Sequence, residues 1–319
     1  MSNVAFVFPG QGSQSLGMGK DLYEKFGEAK AVFGEASDAV GFDIAKLCFD
    51  GPEAELNKTE NTQPAILTVS LAALSVLGAM HIEPGAAAGH SLGELTAVAA
   101  AGGLTVSQAA ALAKRRGMYM QEAVPEGRGL MAAVLGLDAD KIVEACSEAS
   151  SLGIVSPANY NSPGQVVIAG EKAAVEKASE LCQAMGAKRV VPLSVSVPSH
   201  CMLMGPAAER LKDDLDALDI KDLDLPVASN ATGRFVTKAS DVKESLVKQL
   251  TMPLLWEDCV KAMVGEGCSV IVEVGPGKVL SGLIKRIVKD VETRNVENET
   301  TLNNTLDYIG MGCKFTPKK

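Results

Sequence analysis

Histidine is scarce in this sequence, and the scarcity limits the acid–base chemistry available near neutral pH. The 319 residues include only three histidines, His81, His90 and His200. Histidine is the side chain whose ordinary pKa lies closest to neutrality, so these residues are the main candidates for a general base. If the chain carries a site of this kind, one of the three is expected in it.

The sequence also lacks an excess of positive charge. It has 30 Lys and Arg residues against 39 Asp and Glu residues, a net charge of −9, and an isoelectric point near 5.0. A nucleic-acid-binding protein needs a basic face to contact phosphates. The composition therefore argues against nucleic acid as a partner, while leaving room for local basic patches.

Paired cysteines, a leader segment and a membrane span are missing as well. The seven cysteines are scattered, with no C-x-x-C pair, which argues against a disulfide framework or a zinc site and indicates a reducing compartment. No uninterrupted apolar stretch reaches the roughly 18 residues of a membrane span. The short run from Val4 to Phe8 is typical of a strand and not of a signal peptide. We expect a soluble, cytoplasmic protein without a membrane partner.

Short apolar runs alternate with helical segments along most of the chain, which predicts an α/β fold. The predicted strands and helices outside the middle of the chain are Val4–Phe8, Gly19–Val40, Pro64–Met80, Ala86–Ala88, Glu94–Ala101, Ser107–Ala123, Pro206–Leu218, Val270–Val274 and Val279–Val288. Pro64–Met80 is uniformly apolar and is expected at the centre of the molecule. Beyond Val291 the sequence becomes polar and rich in asparagine, and it predicts no clear structure.

The middle of the chain has a rhythm of its own. Its segments follow the order β-α-β-β-α-β of a ferredoxin-like unit, at residues 130–137, 139–149, 153–159, 165–169, 171–185 and 189–193. We therefore expect a small ferredoxin-like domain inserted into a large α/β-hydrolase-like domain with a parallel sheet. The expected boundaries are 1–124 with 198–297 for the large domain, 125–197 for the small one and 298–319 for a polar tail.

The strongest local motif is Gly89-His90-Ser91-Leu92-Gly93, a G-x-S-x-G sequence. In a nucleophile elbow, small residues flank a serine on a tight strand-to-helix turn, which exposes the hydroxyl and presents the next backbone N–H to a developing oxyanion. An apolar run precedes the motif, and Glu94 places an acid in the first turn of the following helix. The alternative is an ordinary glycine turn. We take Ser91 as the candidate nucleophile.

A serine nucleophile needs a base. His90 adjoins Ser91, and neighbouring side chains on an elbow point apart, so we expect it to be structural. His81 follows a helix and is expected at its solvated end. His200 lies in a loop where the inserted segment returns to the large domain, a common place for catalytic groups. By elimination His200 is the preferred base, and its neighbour Cys201 is expected to be a buried thiol.

One arginine is a candidate for binding a charged substrate. On the predicted helix Ser107–Ala123, the residues that share a helical stripe with Arg116 are mainly apolar, whereas Arg115 is less enclosed. A buried cation needs an anion. That anion is either an internal carboxylate or a substrate carboxylate, which a guanidinium binds well, and the residues alone leave both open.

Two glycine-rich segments do not fit nucleotide-binding motifs. Gly10 and Gly12 match two of the three glycines of a dinucleotide-binding loop, but Ser15 occupies the third position. Gly275-Pro276-Gly277-Lys278 lacks the hydroxyl residue and the upstream glycine of a phosphate-binding loop. The turn after the first strand, at residues 8–14, can instead supply a second oxyanion-hole N–H.

The order of these motifs resembles that of the bacterial malonyl-CoA:acyl carrier protein transacylases of type II fatty-acid synthesis. The similar segments extend in order to about residue 290: Phe6–Gln14, Gly89–Glu94, Arg116-Gly117, Asn161–Gln165, Val197–His200, Gln249, Pro253 and Glu273–Gly277. No single motif is as specific as this succession.

The resemblance implies a role for each matched residue. It implies a Ser91–His200 dyad in which the main-chain carbonyl of Gln249 orients the histidine, although the residues alone leave an acidic third member open. It also implies an oxyanion hole formed by the N–H groups of Gln11 and Leu92. Arg116 would bind the free carboxylate of a malonyl group. No metal and no cofactor is implied.

The implied reaction is a ping-pong transfer of malonyl from malonyl-CoA, through a malonyl-serine, to the phosphopantetheine thiol of acyl carrier protein. Coenzyme A is released, and the phosphopantetheine belongs to the partner. Carrier proteins are acidic, so docking needs a basic patch, for which Lys188-Arg189 and Lys285-Arg286 are candidates. We expect a monomer. A serine esterase or thioesterase using the same Ser–His site is the alternative, and a non-catalytic carrier-binding module is a third hypothesis.

Overall fold

The computed structural model describes residues 3–125, 127–193 and 197–309. Ten strands lie in these ranges: β1 (Val4–Phe8), β2 (Ala86–Gly89), β3 (Gly129–Leu135), β4 (Val155–Ser162), β5 (Gln165–Glu171), β6 (Arg189–Pro192), β7 (Val227–Ala228), β8 (Phe235–Val236), β9 (Val270–Val274) and β10 (Glu292–Val296). The strand predicted at Val4–Phe8 and the one predicted at Val270–Val274 have the bounds expected from the sequence.

Fourteen helices accompany the strands in the described ranges. They are α1 (Lys20–Lys25), α2 (Gly27–Val40), α3 (Ile44–Asp50), α4 (Glu53–Leu56), α5 (Thr59–Ala79), α6 (Leu92–Ala100), α7 (Val106–Ala123), α8 (Ala139–Ala149), α9 (Lys172–Ala184), α10 (Gly205–Ala217), α11 (Ala239–Thr251), α12 (Trp256–Gly265), α13 (Val279–Ile287) and α14 (Glu299–Ile309). The helix predicted at Gly19–Val40 is divided into α1 and α2 at Phe26, whose backbone is extended.

The larger sheet has the order β10-β9-β1-β2-β7-β8 and is parallel except for the edge strand β8. Both of its faces are covered, as in most parallel sheets. In β1, Phe6 and Phe8 pack into one hydrophobic cluster, whereas Ala5 and Val7 pack into the cluster on the opposite face. This two-residue alternation follows from strand geometry. The parallel pairing places the carboxyl ends of β1, β2, β7 and β9 at one edge of the sheet.

Helix α5 is the central helix of the larger cluster, as its uniform apolar character predicts. In the described part of the chain it is the one helix long and apolar enough to cross a membrane, although polar residues interrupt its apolar run. Of its most apolar 18-residue window, 78% is buried inside the molecule. This burial is that of a core helix in a globular protein.

The second sheet is antiparallel with the order β4-β5-β3-β6, and α8 and α9 pack on it around a separate hydrophobic cluster. The observed order β3-α8-β4-β5-α9-β6 is the ferredoxin-like succession predicted from the sequence. The α/β fold class with an inserted small sheet is therefore confirmed. The domain boundaries at residues 125 and 197 remain a prediction.

The carboxyl-terminal segment differs from the polar tail expected at residues 298–319. Residues 299–309 form α14, which packs on β10 and buries Leu302 and Leu306. The apolar residues are four apart and therefore lie on one helical face, which the abundant asparagines obscured in the sequence. The remainder of that segment lies outside the described residues.

The six cysteines in the described residues are free and buried. They are Cys48, Cys146, Cys182, Cys201, Cys259 and Cys268, while Cys313 lies outside the described part. The expectation of unpaired cysteines holds for these six residues.

We predict that α14 contributes to stability. Leu302 is fully buried, so Leu302→Ala should lower the free energy of unfolding by about 2–4 kcal/mol, through lost burial and the cavity left behind. Asn304→Ala, on the exposed face of the same helix, is the control and should change it by less than about 0.5 kcal/mol. Chemical denaturation measures both variants. Equal values for the two would contradict a packed helix.

Candidate active site

An open cleft of about 240 Å³ lies at the sheet edge where β1 and β2 end, and the second sheet forms its other wall. Ligand sites of α/β sheets commonly lie at the carboxyl ends of the strands. The loop Pro9–Ser13 follows β1 and the segment His90–Leu92 follows β2, so both reach the cleft. The apolar part of its lining includes Met120, Met131, Val167, Leu193, Val197, Val279, Leu280 and Leu283.

Ser91 occupies the turn between β2 and α6 with a backbone that non-glycine residues seldom adopt (φ 56°, ψ −106°). Close packing around the turn requires its two flanking glycines. A Cβ on Gly89 would lie 1.8 Å from the carbonyl carbon of Gly93, and a Cβ on Gly93 would lie 2.0 Å from the oxygen of Phe8. The motif therefore forms the strained strand-to-helix elbow that its sequence predicts.

His200 lies beside Ser91. The Oγ of Ser91 is 2.9 Å from Nε2 of His200, and Nδ1 of His200 is 2.6 Å from the main-chain oxygen of Gln249. A carbonyl only accepts, so Nδ1 carries the proton and Nε2 is free to accept the proton of Ser91. Gln249 lies in the last turn of α11, where main-chain carbonyls have no partner inside the helix. The structure therefore pairs His200 with a carbonyl and not with a carboxylate.

Burial keeps His200 neutral. The residue is 2% exposed, and its removal from water lowers its pKa to about 3, with a further lowering by the nearby charge of Arg116. The hydrogen bond to Gln249 acts in the opposite direction. A neutral imidazole at every pH above this range is the form that accepts a proton.

Two backbone N–H groups at the cleft are available for an oxyanion. Within the described part of the chain, the structure gives no hydrogen-bond partner to the N–H of Gln11 or of Leu92. Leu92 is the first residue of α6, where N–H groups are unpaired and the helix dipole is positive. Both residues border the cleft together with Ser91. Their assignment as the oxyanion hole remains a prediction.

Arg116 is buried, at 3% exposure, and extends from α7 to Ser91. Its Nη1 donates to Oε1 of Gln63 at 2.8 Å, while Nη2 donates to Oε1 of Gln249 at 2.8 Å and lies 3.3 Å from Oγ of Ser91. All three acceptors are neutral. Among the described residues no carboxylate lies within ion-pair distance of this guanidinium, so its charge is solvated only by dipoles.

The charge of Arg116 persists at neutral pH, because burial lowers its pKa only to about 10, and the carboxylate of Glu94 nearby opposes that lowering. Arg115 differs, since its Nε pairs at 2.7 Å with the carboxylate of Asp214 on the neighbouring helix α10. The sequence left an internal carboxylate and a substrate carboxylate open for Arg116. The absence of an ion pair in the described structure favours the substrate.

The other histidines and Cys201 lie where the sequence predicts. Nε2 of His90 is 2.8 Å from Oδ1 of Asn161, and its ring packs edge-on against Trp256. His81 is exposed at the end of α5. Cys201 is buried, and its thiol donates to the carbonyl of Pro198. None of the three contacts the hydroxyl of Ser91.

Local patterns in the sequence predict no role for four polar residues that surround the site: Gln63, Glu94, Asn161 and Asn230. Glu94 and Asn161 lie in segments that carry the family resemblance, but no local pattern indicates that Glu94 is buried, at 1% exposure. Asparagine and glutamine side chains follow no hydrophobic periodicity, and Asn161 and Asn230 are far from Ser91 in the chain. Gln63 lies just before the helix predicted at Pro64–Met80, outside any predicted element.

Comparison with protein families identifies the acyl transferase domain, whose model matches residues 5–304. A malonyl CoA-acyl carrier protein transacylase of Bacillus subtilis is 46% identical over 310 residues, which cover 97% of this chain and 98% of that protein. The corresponding protein of Escherichia coli K12 is 48% identical over 300 residues, 94% of this chain and 97% of its own length.

Solved structures of malonyltransferases also superpose on this chain. An acyl carrier protein S-malonyltransferase from Vibrio cholerae superposes with a TM-score of 0.93 at 46% identity, covering 95% of this chain and all of that one. A malonyl-transacylase in complex with a type II polyketide-synthase acyl-carrier protein superposes with a TM-score of 0.94 at 46% identity, covering 96% of this chain and all of the other.

The depressed pKa of His200 predicts a flat pH profile for the reactivity of Ser91. Phosphonylation of Ser91 by a fluorophosphonate should change by less than about threefold between pH 5 and pH 8, because His200 stays neutral; a base with an ordinary pKa near 6.5 would lose about 30-fold at pH 5. The rate of phosphonylation is measured by quenching samples at set times and recording the intact mass of the protein. His200→Ala should react slowly at each pH, and an acid limb near pH 6.5 in the unmodified chain would contradict the prediction.

Proposed function

Because the chain belongs to the acyl transferase family, we propose that it transfers the malonyl group of malonyl-CoA to the phosphopantetheine thiol of an acyl carrier protein. The observation that carries the proposal is the buried guanidinium of Arg116 beside the hydroxyl of Ser91, with no carboxylate of its own in the described structure. A malonyl thioester has a free carboxylate a short distance from its reacting carbonyl, and it can supply this missing anion.

The first half-reaction makes an acyl-enzyme. His200 removes the proton of Ser91, whose oxygen attacks the thioester carbonyl, and the N–H groups of Gln11 and Leu92 bind the oxyanion. The tetrahedral intermediate collapses, the C–S bond breaks, and His200 returns the proton to the departing thiolate of coenzyme A. Malonyl-Ser91 remains, with its carboxylate on Arg116.

The second half-reaction reverses the first with a different thiol. His200 takes the proton of the phosphopantetheine thiol, the sulfur attacks the acyl-serine, and the bond to Oγ of Ser91 breaks as His200 protonates it. The two thiols use one site in turn, so ping-pong kinetics follow. Ser91 and His200 supply the nucleophile and the base themselves, and the proposal includes neither cofactor nor metal.

The carrier protein is proposed to dock on the basic pair Lys285-Arg286. Both residues are exposed on α13, whose Val279 and Leu283 line the cleft. Arg286 also donates to Oε1 of Gln165 at 2.7 Å, at the opposite wall of the cleft. An acidic partner on this pair would reach the cleft with its thiol. The other candidate pair, Lys188-Arg189, is exposed at the beginning of β6. We propose further that the chain acts as a monomer in the cytoplasm.

Acylation of one serine tests the reaction itself. Malonyl-CoA should increase the intact mass of the chain by one malonyl group and leave Ser91→Ala unchanged, because Ser91 is the proposed nucleophile. Addition of holo acyl carrier protein should remove the group and produce malonyl-carrier. Release of free malonate without carrier acylation would instead indicate the esterase or thioesterase, and an unmodified chain would indicate a non-catalytic module.

Arg116→Ala tests acyl-group selection. Loss of a charged hydrogen-bonded pair should lower kcat/KM for malonyl-CoA by about 10- to 100-fold and improve acetyl-CoA relative to malonyl-CoA. Arg115→Ala is the matched control, since Arg115 pairs with Asp214 and not with Ser91, and its malonyl-to-acetyl ratio should stay within about twofold. Equal losses for both acyl groups in Arg116→Ala would make Arg116 structural.

A further inference from the structure

Glu94 is a buried carboxylate that no step of the proposed reaction uses. It lies one turn after Ser91 in α6 and is 1% exposed. Its oxygens accept from the hydroxyl of Ser245 at 2.7 Å, from Nε2 of Gln249 at 2.6 Å and from the main-chain N–H of Asn230 at 3.1 Å. An amide NH₂ and a backbone N–H can only donate. The position therefore requires an acceptor, which a glutamine oxygen or a carboxylate can supply and an alanine cannot.

Two of the three residues that donate to Glu94, Asn230 and Gln249, also hold the main chain of the nucleophile. Oδ1 of Asn230 accepts from the N–H of Ser91 at 2.9 Å, and Nε2 of Gln249 donates to the carbonyl of Ser91 at 2.9 Å. Nδ2 of Asn230 donates to the carbonyl of Gly89 at 2.8 Å. Ser91 has a strained backbone, and such a conformation persists only where its surroundings impose it. Side-chain amides supply that restraint here.

Glu94, together with the carbonyl of Ser91, fixes which way the amide of Gln249 faces. Because Nε2 donates to the carboxylate, Oε1 is directed to Nη2 of Arg116. The reversed amide would place two acceptors together at Glu94 and two donors together at Arg116. The carboxylate therefore orients the guanidinium through one intervening amide and without contacting it.

The same glutamine carries the carbonyl that binds His200. The contact uses the main chain of Gln249, and the side chain is fixed by Glu94 at the other end of the residue. Through Gln249 and Asn230, one carboxylate is connected to the nucleophile, the base and the acyl-binding cation. A cluster connected in this way is expected to show strongly non-additive mutational effects.

We propose that Glu94 is a positioning residue that, by fixing the amide of Gln249, sets the preference of the site for an acyl group bearing a carboxylate. This inference rests on the proposed function for its substrate. Glu94 itself touches neither the acyl group nor the reacting atoms. Its contribution is the direction of hydrogen bonds and not its charge.

The first test compares three substitutions at Glu94. Glu94→Gln keeps an oxygen toward Gln249 and can donate to Ser245, so its malonyl-to-acetyl ratio of kcat/KM should stay within about threefold of the unmodified chain. Glu94→Ala removes the acceptor, and Glu94→Asp keeps the charge but is too short to reach Gln249. Both should lower the ratio about tenfold. An equal drop in Glu94→Gln, or an unchanged ratio in Glu94→Asp, would overturn the proposal.

A matched control separates positioning from general loss of stability. Glu273 is another fully buried carboxylate, and it accepts from the N–H groups of Leu280 and Ser281 at the beginning of α13. Glu273→Ala should lower the melting temperature as Glu94→Ala does, and leave the malonyl-to-acetyl ratio within about threefold. If the ratio fell equally in both variants, Glu94 would act only through the stability of the fold, and the proposal would be overturned.

A double-mutant cycle tests whether Glu94 acts through Gln249. Gln249→Ala keeps the main-chain carbonyl and removes the amide, so adding Glu94→Ala should lower the ratio by less than about twofold further. If the two substitutions lowered the malonyl-to-acetyl ratio independently, so that their effects multiplied, the proposal would be overturned. If the unmodified chain transfers no malonyl, the proposed function fails. In that case, fluorophosphonate labelling of Ser91 still tests the positioning itself: it should be slow in Glu94→Ala and near normal in Glu94→Gln, and equal rates would overturn it.

Discussion

A cation without a counter-ion in the described part of the chain is the constraint on which the rest of the site depends. Isolated charges inside a protein are costly, and a buried arginine normally has a carboxylate partner. Arg116 instead has two glutamine oxygens and the hydroxyl of Ser91 as its acceptors. Neutral dipoles keep the guanidinium oriented but leave its charge unmatched. An internal ion pair would be more stable and would also occupy the position proposed for the carboxylate of the malonyl group.

This constraint explains why amides surround the site. Glu94 is close enough to affect the pKa of Arg116, yet the amide of Gln249 lies between the two groups. A direct contact would make an ion pair with which a substrate would have to compete. The intervening amide transmits direction, because it donates at one end and accepts at the other, while keeping the opposite charges apart.

The parts of the molecule that were predictable from the sequence are those with a local signal. Strand β1, helix α8 and the elbow at Ser91 follow from short apolar runs, helical periodicity and glycine spacing. The stripe around Arg116 indicated its burial because helical neighbours are fixed by geometry. The two short strands β7 and β8 gave no such signal, since two residues are too few to show an alternation.

The residues around Ser91 and His200 were less predictable, for a physical reason. Asn230 and Gln249 follow Ser91 by well over a hundred residues, and only the sheet order brings β7 and α11 to the elbow. A carbonyl partner for His200 has no side-chain signature at all, because every residue has a main-chain oxygen. For Gln249 the sequence provided a resemblance to a family and no independent argument.

The carbonyl at His200 also bears on the choice between transfer and hydrolysis. A carboxylate partner would stabilise the imidazolium and raise the basicity of His200, whereas the buried His200–Gln249 pair gives a weak base. A weak base removes a proton more readily from a thiol, with a pKa of about 8.5, than from water, with a pKa near 15.7. Ser91 compensates for the weak base by its place at a helix N-terminus and beside Arg116. A water molecule that attacks the acyl-serine meets the same weak base, so the more acidic thiol is favoured for unloading the serine.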